Sequence, residues 1–329
     1  MIQDPRYKTQ DKKYFNAHPE SCILGPNCES CILNPASSLM IRDALKLVDS
    51  HLKKHGVEGA HLEAELLLRH ILNLSRADLY LYPDRFLTYR EKAFLRKAIQ
   101  HRVQGMPIQY IIGWQAFRHL NLRIKPGVFI PRPETELLVE QVIDVAKSMV
   151  KPLTIVDVGT GSGAIALSIA REVPQTRVYA LDISERALKL AEENARLHNL
   201  EDKIIFVRSE LFENLDPNLL EEVDIIVSNP PYIREKEIKE LPREIRDFEP
   251  RPALSGGIDG LKVHKRIIAD SPRYLRGGGF LILEVGFDQA QKVSEILHGS
   301  GNFEDIRVLR DYSGMDRIVS AVKQIARHP

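Results

Sequence analysis

Asp157-Val-Gly159-Thr-Gly161-Ser-Gly163 is the stretch that decides the fold. The run before it, Leu153–Val158, is short, apolar and rich in Val and Ile, and reads as a buried strand. The run after it, Ala164–Val173, has helical apolar spacing. Three glycines at alternate positions let the backbone turn sharply between strand and helix and come close to a ligand. About 20 residues on, Asp182 closes the next apolar run, where a carboxylate can accept both hydroxyls of a ribose. Two ligand classes share this plan. The dinucleotide fingerprint is G-x-G-x-x-G; the spacing here is G-x-G-x-G opened by Asp157, which favours S-adenosylmethionine and needs no pyrophosphate at the helix N-terminus. A tight turn without a ligand is the plain alternative.

Outward from this loop the rhythm continues. Arg177–Leu181, Ile204–Val207, Val223–Val227 and Phe280–Val285 read as strands, and Ser184–His198 and Leu261–Leu275 as helices between them. This alternation predicts an α/β fold with a parallel sheet covered on both faces. The tail runs Ile306–Leu309 and Arg317–Val322 suggest a final, antiparallel pair. Gly277–Gly279 mark a turn before the strand at Phe280. Upstream, Ile41, Leu45, Val48 and Leu52 share one helical face, Ala64, Leu67, Leu68 and Ile71 another, and Leu95, Ala98, Ile99 and Val103 a third, opened by the capping-box spacing Thr88-Tyr-Arg-Glu91. The expected organisation is a flexible extension over residues 1–36, a helical domain over 37–112, a hairpin linker over 113–133 and the α/β domain over 134–329. Apolar runs around Phe117 and Val128-Phe129-Ile130 are taken as the two hairpin strands, and Glu134 to Val150 as a helix.

The strand Val223–Val227 ends in Ser228-Asn229-Pro230-Pro231-Tyr232. Two prolines stiffen a loop at the carboxyl end of a parallel strand, where ligands of open α/β sheets bind. The loop presents Asn229 and Tyr232 beside the cofactor. An amide nitrogen is a poor nucleophile because its lone pair is delocalised into the carbonyl. Two acceptors, the Asn229 side-chain oxygen and the Pro230 carbonyl, can hold both protons of an NH₂ group and stabilise positive charge developing on nitrogen, while Tyr232 stacks on the flat group. Positioning then supplies most of the rate and no strong base is needed. The pattern therefore points to methyl transfer onto a planar amide or amino nitrogen.

Composition narrows the substrate. A net charge of +1 over 329 residues lacks the basic excess of a protein that grips duplex DNA by its phosphates. The N-terminus shows no signal-peptide pattern, and no apolar run approaches a membrane span. All three cysteines lie between Cys22 and Cys31, so there is no disulfide framework. A cytoplasmic protein is expected, with no membrane or direct nucleic-acid partner, acting as a monomer.

With these motifs in view, the chain resembles the release-factor glutamine methyltransferase family, also called HemK or PrmC, over roughly residues 40 to 325. The resemblance rests on Ile130-Pro-Arg-Pro-Glu-Thr-Glu136, the glycine loop, Asp182, the Asn229 motif, Glu249-Pro-Arg-Pro-Ala-Leu254, Gly256-Gly-Ile-Asp-Gly260 and Glu284-Val-Gly286. It implies a Rossmann-like class I methyltransferase domain, with a mostly parallel seven-stranded sheet, preceded by a small all-α domain that helps dock a class I peptide chain release factor. The implied substrate is the glutamine of that factor's Gly-Gly-Gln loop, methylated on its side-chain nitrogen from S-adenosylmethionine. Gly159, Thr160, Gly161, Ser162 and Gly163 would hold the methionine end of the cofactor and Asp182 its ribose. Leu211 would lie near the adenine. Asn229, Pro230, Pro231 and Tyr232 would bind the glutamine amide. Glu134, Glu136 and Glu249 have no derived role; capping a helix or pairing with arginine accounts for them as well.

His18, Cys22, Cys28 and Cys31 stand outside the resemblance. Their spacing lacks the clean pair of pairs of a structural zinc site, and no metal is expected. Three other substrates or roles fit the motifs: a ribosomal-protein glutamine, an adenine N6 in DNA or RNA, and cofactor binding without catalysis. The mixed-charge run from Arg234 to Arg251 is a candidate insert for nucleic acid, although alternating signs suit a solvated lid or helix face.

Overall fold

Strand β3 (Leu153–Val158) lies in the interior of a seven-stranded sheet and is covered on both faces, which is why its sequence reads as a continuous apolar run. The computed structural model describes residues 38–150 and 152–325. From β3 the chain winds outward through α7 (Ala164–Glu172), β4 (Thr176–Asp182), α8 (Glu185–His198) and β5 (Ile204–Arg208). It then crosses to the other side of β3 as β6 (Val223–Ser228), followed by α9 (Arg243–Arg246), α10 (Lys262–Asp270), β7 (Leu275–Glu284), α11 (Ala290–Gly299), β8 (Phe303–Arg310) and β9 (Asp316–Lys323). The spatial order is β5-β4-β3-β6-β7-β9-β8, with β9 antiparallel to both neighbours and the other pairings parallel. Strand order reverses between β3 and β6, so the crevice of an open α/β sheet falls beyond their carboxyl ends.

Side-chain alternation builds the two layers. Ile155, Ile225, Val227 and Ile282 face one cluster with α6 (Thr135–Lys147) and α7, through Leu138, Val142 and Ile169. Val156, Val158, Ile226 and Leu283 face the other, against Ile267 of α10 and Val293 of α11. The preceding helices, α1 (Ile41–Lys54), α2 (Ala60–Leu72), α3 (Arg76–Leu81), α4 (Tyr89–Val103) and α5 (Ile108–Ile112), bury their own cluster of Ile41, Val48, Leu52, Leu67, Leu68 and Leu95. Thr88 and Glu91 form the anticipated capping box at the start of α4. Ser75 and Asp78 form a second one at α3; with Asp in place of Glu or Gln it went unread in the sequence.

Four local readings change. The hairpin consists of β1 (Trp114–Phe117) and β2 (Leu120–Arg123), turning at Arg118, whose φ is 48°. Val128-Phe129-Ile130 is not its partner: Pro126 lacks a donor, Gly127 sits at φ 85°, and the three residues lie in a non-regular segment whose Val128 and Ile130 are buried. Helix α10 stops at Asp270 rather than reaching Leu275, because Pro272 converts the next turn to a 3₁₀ turn. Strand β7 begins at Leu275 and runs through Gly277–Gly279, with a register shift opposite Val223–Ile225. There a Cβ on Gly279 would come within 3.1 Å of the Val223 and Asp224 carbonyl oxygens, a tight approach of backbone to backbone that glycine meets without displacement. Helix α6 spans three residues fewer than expected at its C-terminal end and starts one later.

The His18, Cys22, Cys28 and Cys31 reading lies outside the described residues. Among the described residues no helix is long and apolar enough to cross a membrane, and no group of three or more His, Cys, Asp or Glu side chains could hold a metal.

Candidate active site

Register places the two sequence motifs side by side. Val158 pairs with Leu181 on one side and Ser228 on the other, and Leu283 pairs with Ser228 beyond. Gly159, Asp182, Asn229 and Glu284 therefore leave four adjacent strands at one level. Ser228 Oγ donates to the Val158 carbonyl at 2.6 Å, tying the starts of the two loops together.

In the glycine loop, Gly159, Gly161 and Gly163 all have positive φ, at 79°, 58° and 86°. A Cβ on Gly159 or Gly161 would meet nothing within 4 Å, so open space borders the backbone there. Gly163 is different: its Cβ would strike Leu167 Cδ1 at 2.2 Å, so that glycine serves helix packing. Gly159 N and Thr160 N both donate to the Leu181 carbonyl at 2.8 Å. Ser162 Oγ is buried without a partner. Asn194 of α8, wholly buried, donates to the Ser162 carbonyl at 2.9 Å and exchanges bonds with the Arg123 backbone of β2, so the hairpin braces the loop. Asn194 occupies the buried stripe Ala187, Leu190, Ala191, Asn194. A polar residue in that stripe was the available signal.

Two carboxylates flank the loop. Asp182 Oδ2 accepts from Gly161 N and Oδ1 from Ser184 N, both at 2.8 Å. Each oxygen keeps a lone pair for a hydroxyl. Burial raises its pKa, and the backbone donors oppose that rise. Directly after it, Ile183 is 58% exposed, an apolar surface beside that carboxylate. Asp157 is wholly buried; Thr160 Oγ1 donates to its Oδ2 at 2.6 Å, while Oδ1 has no hydrogen-bond partner. Burial pushes its carboxyl up to about 7. Leu211, just past β5, adopts φ 51°, unusual for a side chain of its size.

The Asn229 loop is held from several directions. Asn229 Nδ2 donates to Thr135 Oγ1 of α6 at 3.0 Å, leaving its Oδ1 for a donor. Pro230 is buried; Pro231 and Tyr232 are half-buried. Burial, with Glu284 nearby, pushes the Tyr232 phenol up to about 12. Gln289 Nε2 donates to the Tyr232 carbonyl at 2.9 Å, and Arg234 to Asp288 at 2.6 Å. The segment beyond reaches the helical unit, where Arg102 Nη2 donates to Glu244 at 2.7 Å and to Glu63 at 3.0 Å.

Of the three glutamates without a derived role, Glu249 pairs with Arg132 and accepts from Ile130 N. Glu136 accepts from Arg118 N at 3.0 Å. Glu249 follows the plain arginine-pairing expectation, whereas the Glu136 carboxylate takes a backbone amide instead. Glu134 is exposed and precedes α6 without a side-chain cap.

Comparison with known proteins follows the same outline. The PrmC N-terminal domain family matches residues 43–113, and the methyltransferase small domain family residues 120–245. The release factor glutamine methyltransferase of Koribacter versatilis is 40% identical over 281 residues, 85% of this chain and 98% of that protein. That of Rhodopirellula baltica is 37% identical over 274 residues, 82% and 92% of the two chains. The structure of the hMettl16 catalytic domain with MAT2A 3′UTR hairpin 6 aligns with a TM-score of 0.51 at 17% identity, covering 70% of this chain and 81% of that one, a likeness of fold.

Proposed function

This chain belongs to the release factor glutamine methyltransferase family, and on that premise we propose that it methylates the side-chain amide nitrogen of the glutamine in the Gly-Gly-Gln loop of a class I peptide chain release factor. The observation that supports the reading is the Asn229 amide, whose NH₂ group donates to Thr135 Oγ1 and so leaves its oxygen for a substrate donor, one strand from an open-bordered glycine loop.

S-adenosylmethionine supplies an electrophilic methyl group on a sulfonium. The residues present fit it: Gly159 and Gly161 border an open cradle that a Cβ would fill, Asp182 retains acceptor capacity for two ribose hydroxyls, and Ile183 and Leu211 offer apolar surface for a base. Ser162 Oγ and Asp157 Oδ1 are buried polar atoms awaiting partners, and the Asp157 carboxylate suits a cationic ligand. On the substrate side, Asn229 Oδ1 and the Pro230 carbonyl accept the two amide protons and aim the nitrogen. Tyr232 packs on the plane of the amide, with Pro231 stiffening the turn. As positive charge develops on the nitrogen, the two acceptors strengthen their bonds to it. The spare proton then leaves from a nitrogen made acidic by methylation.

We assign the helical unit, residues 37–112, to substrate docking and residues 134–329 to catalysis, with a monomer acting in the cytoplasm where release factors work. No direct contact with nucleic acid is required. Incubation with methyl-labelled S-adenosylmethionine tests the reading against a release factor, its Gln→Ala loop variant, a ribosomal protein carrying an accessible glutamine, and duplex DNA or RNA. Label on the wild-type factor alone is expected. Label on nucleic acid or on the ribosomal protein instead would overturn the substrate.

A further inference from the structure

We propose that Asn194 is a positioning residue for S-adenosylmethionine: it fixes the second half of the glycine loop to the β1–β2 hairpin, and through the hairpin to the helical unit. The inference rests on the cofactor reading given above and is independent of the methyl acceptor. Asn194 lies on α8 and is wholly buried. Its Nδ2 donates to the Ser162 carbonyl at 2.9 Å and to the Arg123 carbonyl at 3.1 Å, and its Oδ1 accepts from Arg123 N at 2.7 Å. Both protons of the amide are engaged, and one side chain satisfies three backbone groups.

The loop is held in two halves. Strand β4 holds the first: the Leu181 carbonyl takes Gly159 N and Thr160 N, and Asp182 takes Gly161 N, all at 2.8 Å. The second half is the peptide unit between Ser162 and Gly163. A trans peptide is planar, so its carbonyl and its N–H point to opposite sides. Gly163 N donates to the Thr160 carbonyl at 2.9 Å, and the Ser162 carbonyl is taken by Asn194. With both ends held, the plane keeps one orientation. Ser162 is 1% exposed and its Oγ has no protein partner, so the same bond steadies a residue with a polar atom left for the cofactor. Helix α8 reaches the loop because it presents a small residue there: a Cβ on Gly163 would come to 3.1 Å from Ala191 Cβ, one turn before Asn194.

The other end of the bridge leads toward the helical unit. Arg123 pairs with Trp114 across the hairpin, and its guanidinium lies over the Trp114 ring at 5.6 Å. Trp114 follows Gly113, whose carbonyl accepts from Ile124 N at 2.9 Å. Gly113 caps α5, and Ile108 and Ile111 of α5 belong to the buried cluster of the helical unit. A continuous run of packed groups thus joins that cluster to the hairpin, and Asn194 carries it on into the loop. Binding that steadies the loop must then steady the hairpin as well, because coupling between two sites is reciprocal. A neighbouring ion pair supplies a control. Lys125 Nζ donates to Glu193 at 2.7 Å, which joins the chain just after β2 to α8 without a bond to the loop.

The test uses the full chain as wild type, Asn194→Leu, Asn194→Asp and Glu193→Gln, each checked for folding by circular dichroism. Leu keeps the branched shape and makes none of the three bonds; Asp keeps an acceptor for Arg123 N and loses both donors. The first readout is S-adenosylmethionine affinity by calorimetry, with no protein substrate present. Both Asn194 variants should bind roughly 10 to 100-fold more weakly, and Glu193→Gln should stay within about twofold of the wild type. The second is hydrogen exchange. Adding S-adenosylmethionine should slow exchange across Trp114–Arg123 in the wild type and in Glu193→Gln, and leave it unchanged in the Asn194 variants. A residue that only stabilises the core would lower the unfolding temperature when replaced and move neither readout; that result overturns the proposal. So does a wild-type hairpin whose exchange ignores the cofactor, an observation that needs no variant to fold. A wild type that binds no S-adenosylmethionine overturns the cofactor reading and this one with it. A wild type that binds it but methylates no release factor overturns only the substrate reading, and calorimetry still decides this one.

Discussion

Replacing Asp157 with Asn should make the cofactor-free chain more stable, and by an amount that grows with pH. Asp157 is wholly buried, one oxygen is held by Thr160 at 2.6 Å, and the other has no partner. Burial is the main cause that lifts its pKa from 3.8 to about 7; Thr160 and the Ala166 backbone oppose the rise and Asp182 adds to it. Between roughly pH 4 and 7 the folded chain therefore holds a proton that the unfolded chain has released, and stability falls as pH rises through that window. By about pH 8, one unit above the folded value, the loss is complete, on the order of 4 kcal/mol. Of this, roughly 2–3 kcal/mol develops between pH 5 and pH 8. Asn is nearly isosteric and never ionises. Urea unfolding of the two proteins without cofactor, at both pH values, reads the difference directly, since Glu284 titrates in both and cancels. The advantage of Asp157→Asn should widen by that amount on going to pH 8. S-adenosylmethionine affinity should show the converse: it strengthens with pH in the wild type, as the carboxylate ionises beneath a cationic ligand, and stays level in the variant. A stability gap that does not change with pH would refute the assignment of a buried, strained ionisation to Asp157.

Other substitutions separate the roles of the site. Asn229→Ala should lower kcat by about 10² to 10³-fold while calorimetric affinity for S-adenosylmethionine stays within a few-fold. Asp182→Ala removes the acceptor of Gly161 N and Ser184 N along with the one proposed for the ribose, and should weaken cofactor binding by roughly 10 to 100-fold in the same titration. Gly163→Ala would bring a Cβ to 2.2 Å from Leu167 Cδ1 at a φ of 86°, and should cost about 2–4 kcal/mol in denaturant unfolding. Arg102→Ala cuts the bonds to Glu63 and Glu244, and should speed hydrogen exchange in Arg243–Arg246 and raise KM for the protein substrate more than it lowers kcat.

Local pattern determined much of this protein. The Val- and Ile-rich runs could be read as covered strands because a strand buried on both faces needs apolar residues at every position. Glycine spacing announced a backbone with positive φ, and Thr88 with Glu91 announced the start of α4, because each is a property of a few consecutive residues. The readings that changed, at Val128–Ile130 and at Gly277–Gly279, lie where a proline or a glycine alters pairing that depends on a distant strand.

The candidate site was legible only in part for the same reason. Gly159, Asp182 and Asn229 stand at strand ends that the sequence marks by itself. Thr135 and Glu284 lay inside motif blocks whose purpose could not be read, and Asn194 and Gln289 lay outside any motif. Their partners are 94 residues away for Thr135 and Asn229, and 57 for Gln289 and Tyr232. Those bonds exist because β6 crosses to the far side of β3 and β7 adds beside it, bringing α6 and the β7–α11 turn against the Asn229 loop. Residue type and spacing determine which groups can donate, accept or turn; strand order, fixed by packing of the whole sheet, decides which of them meet.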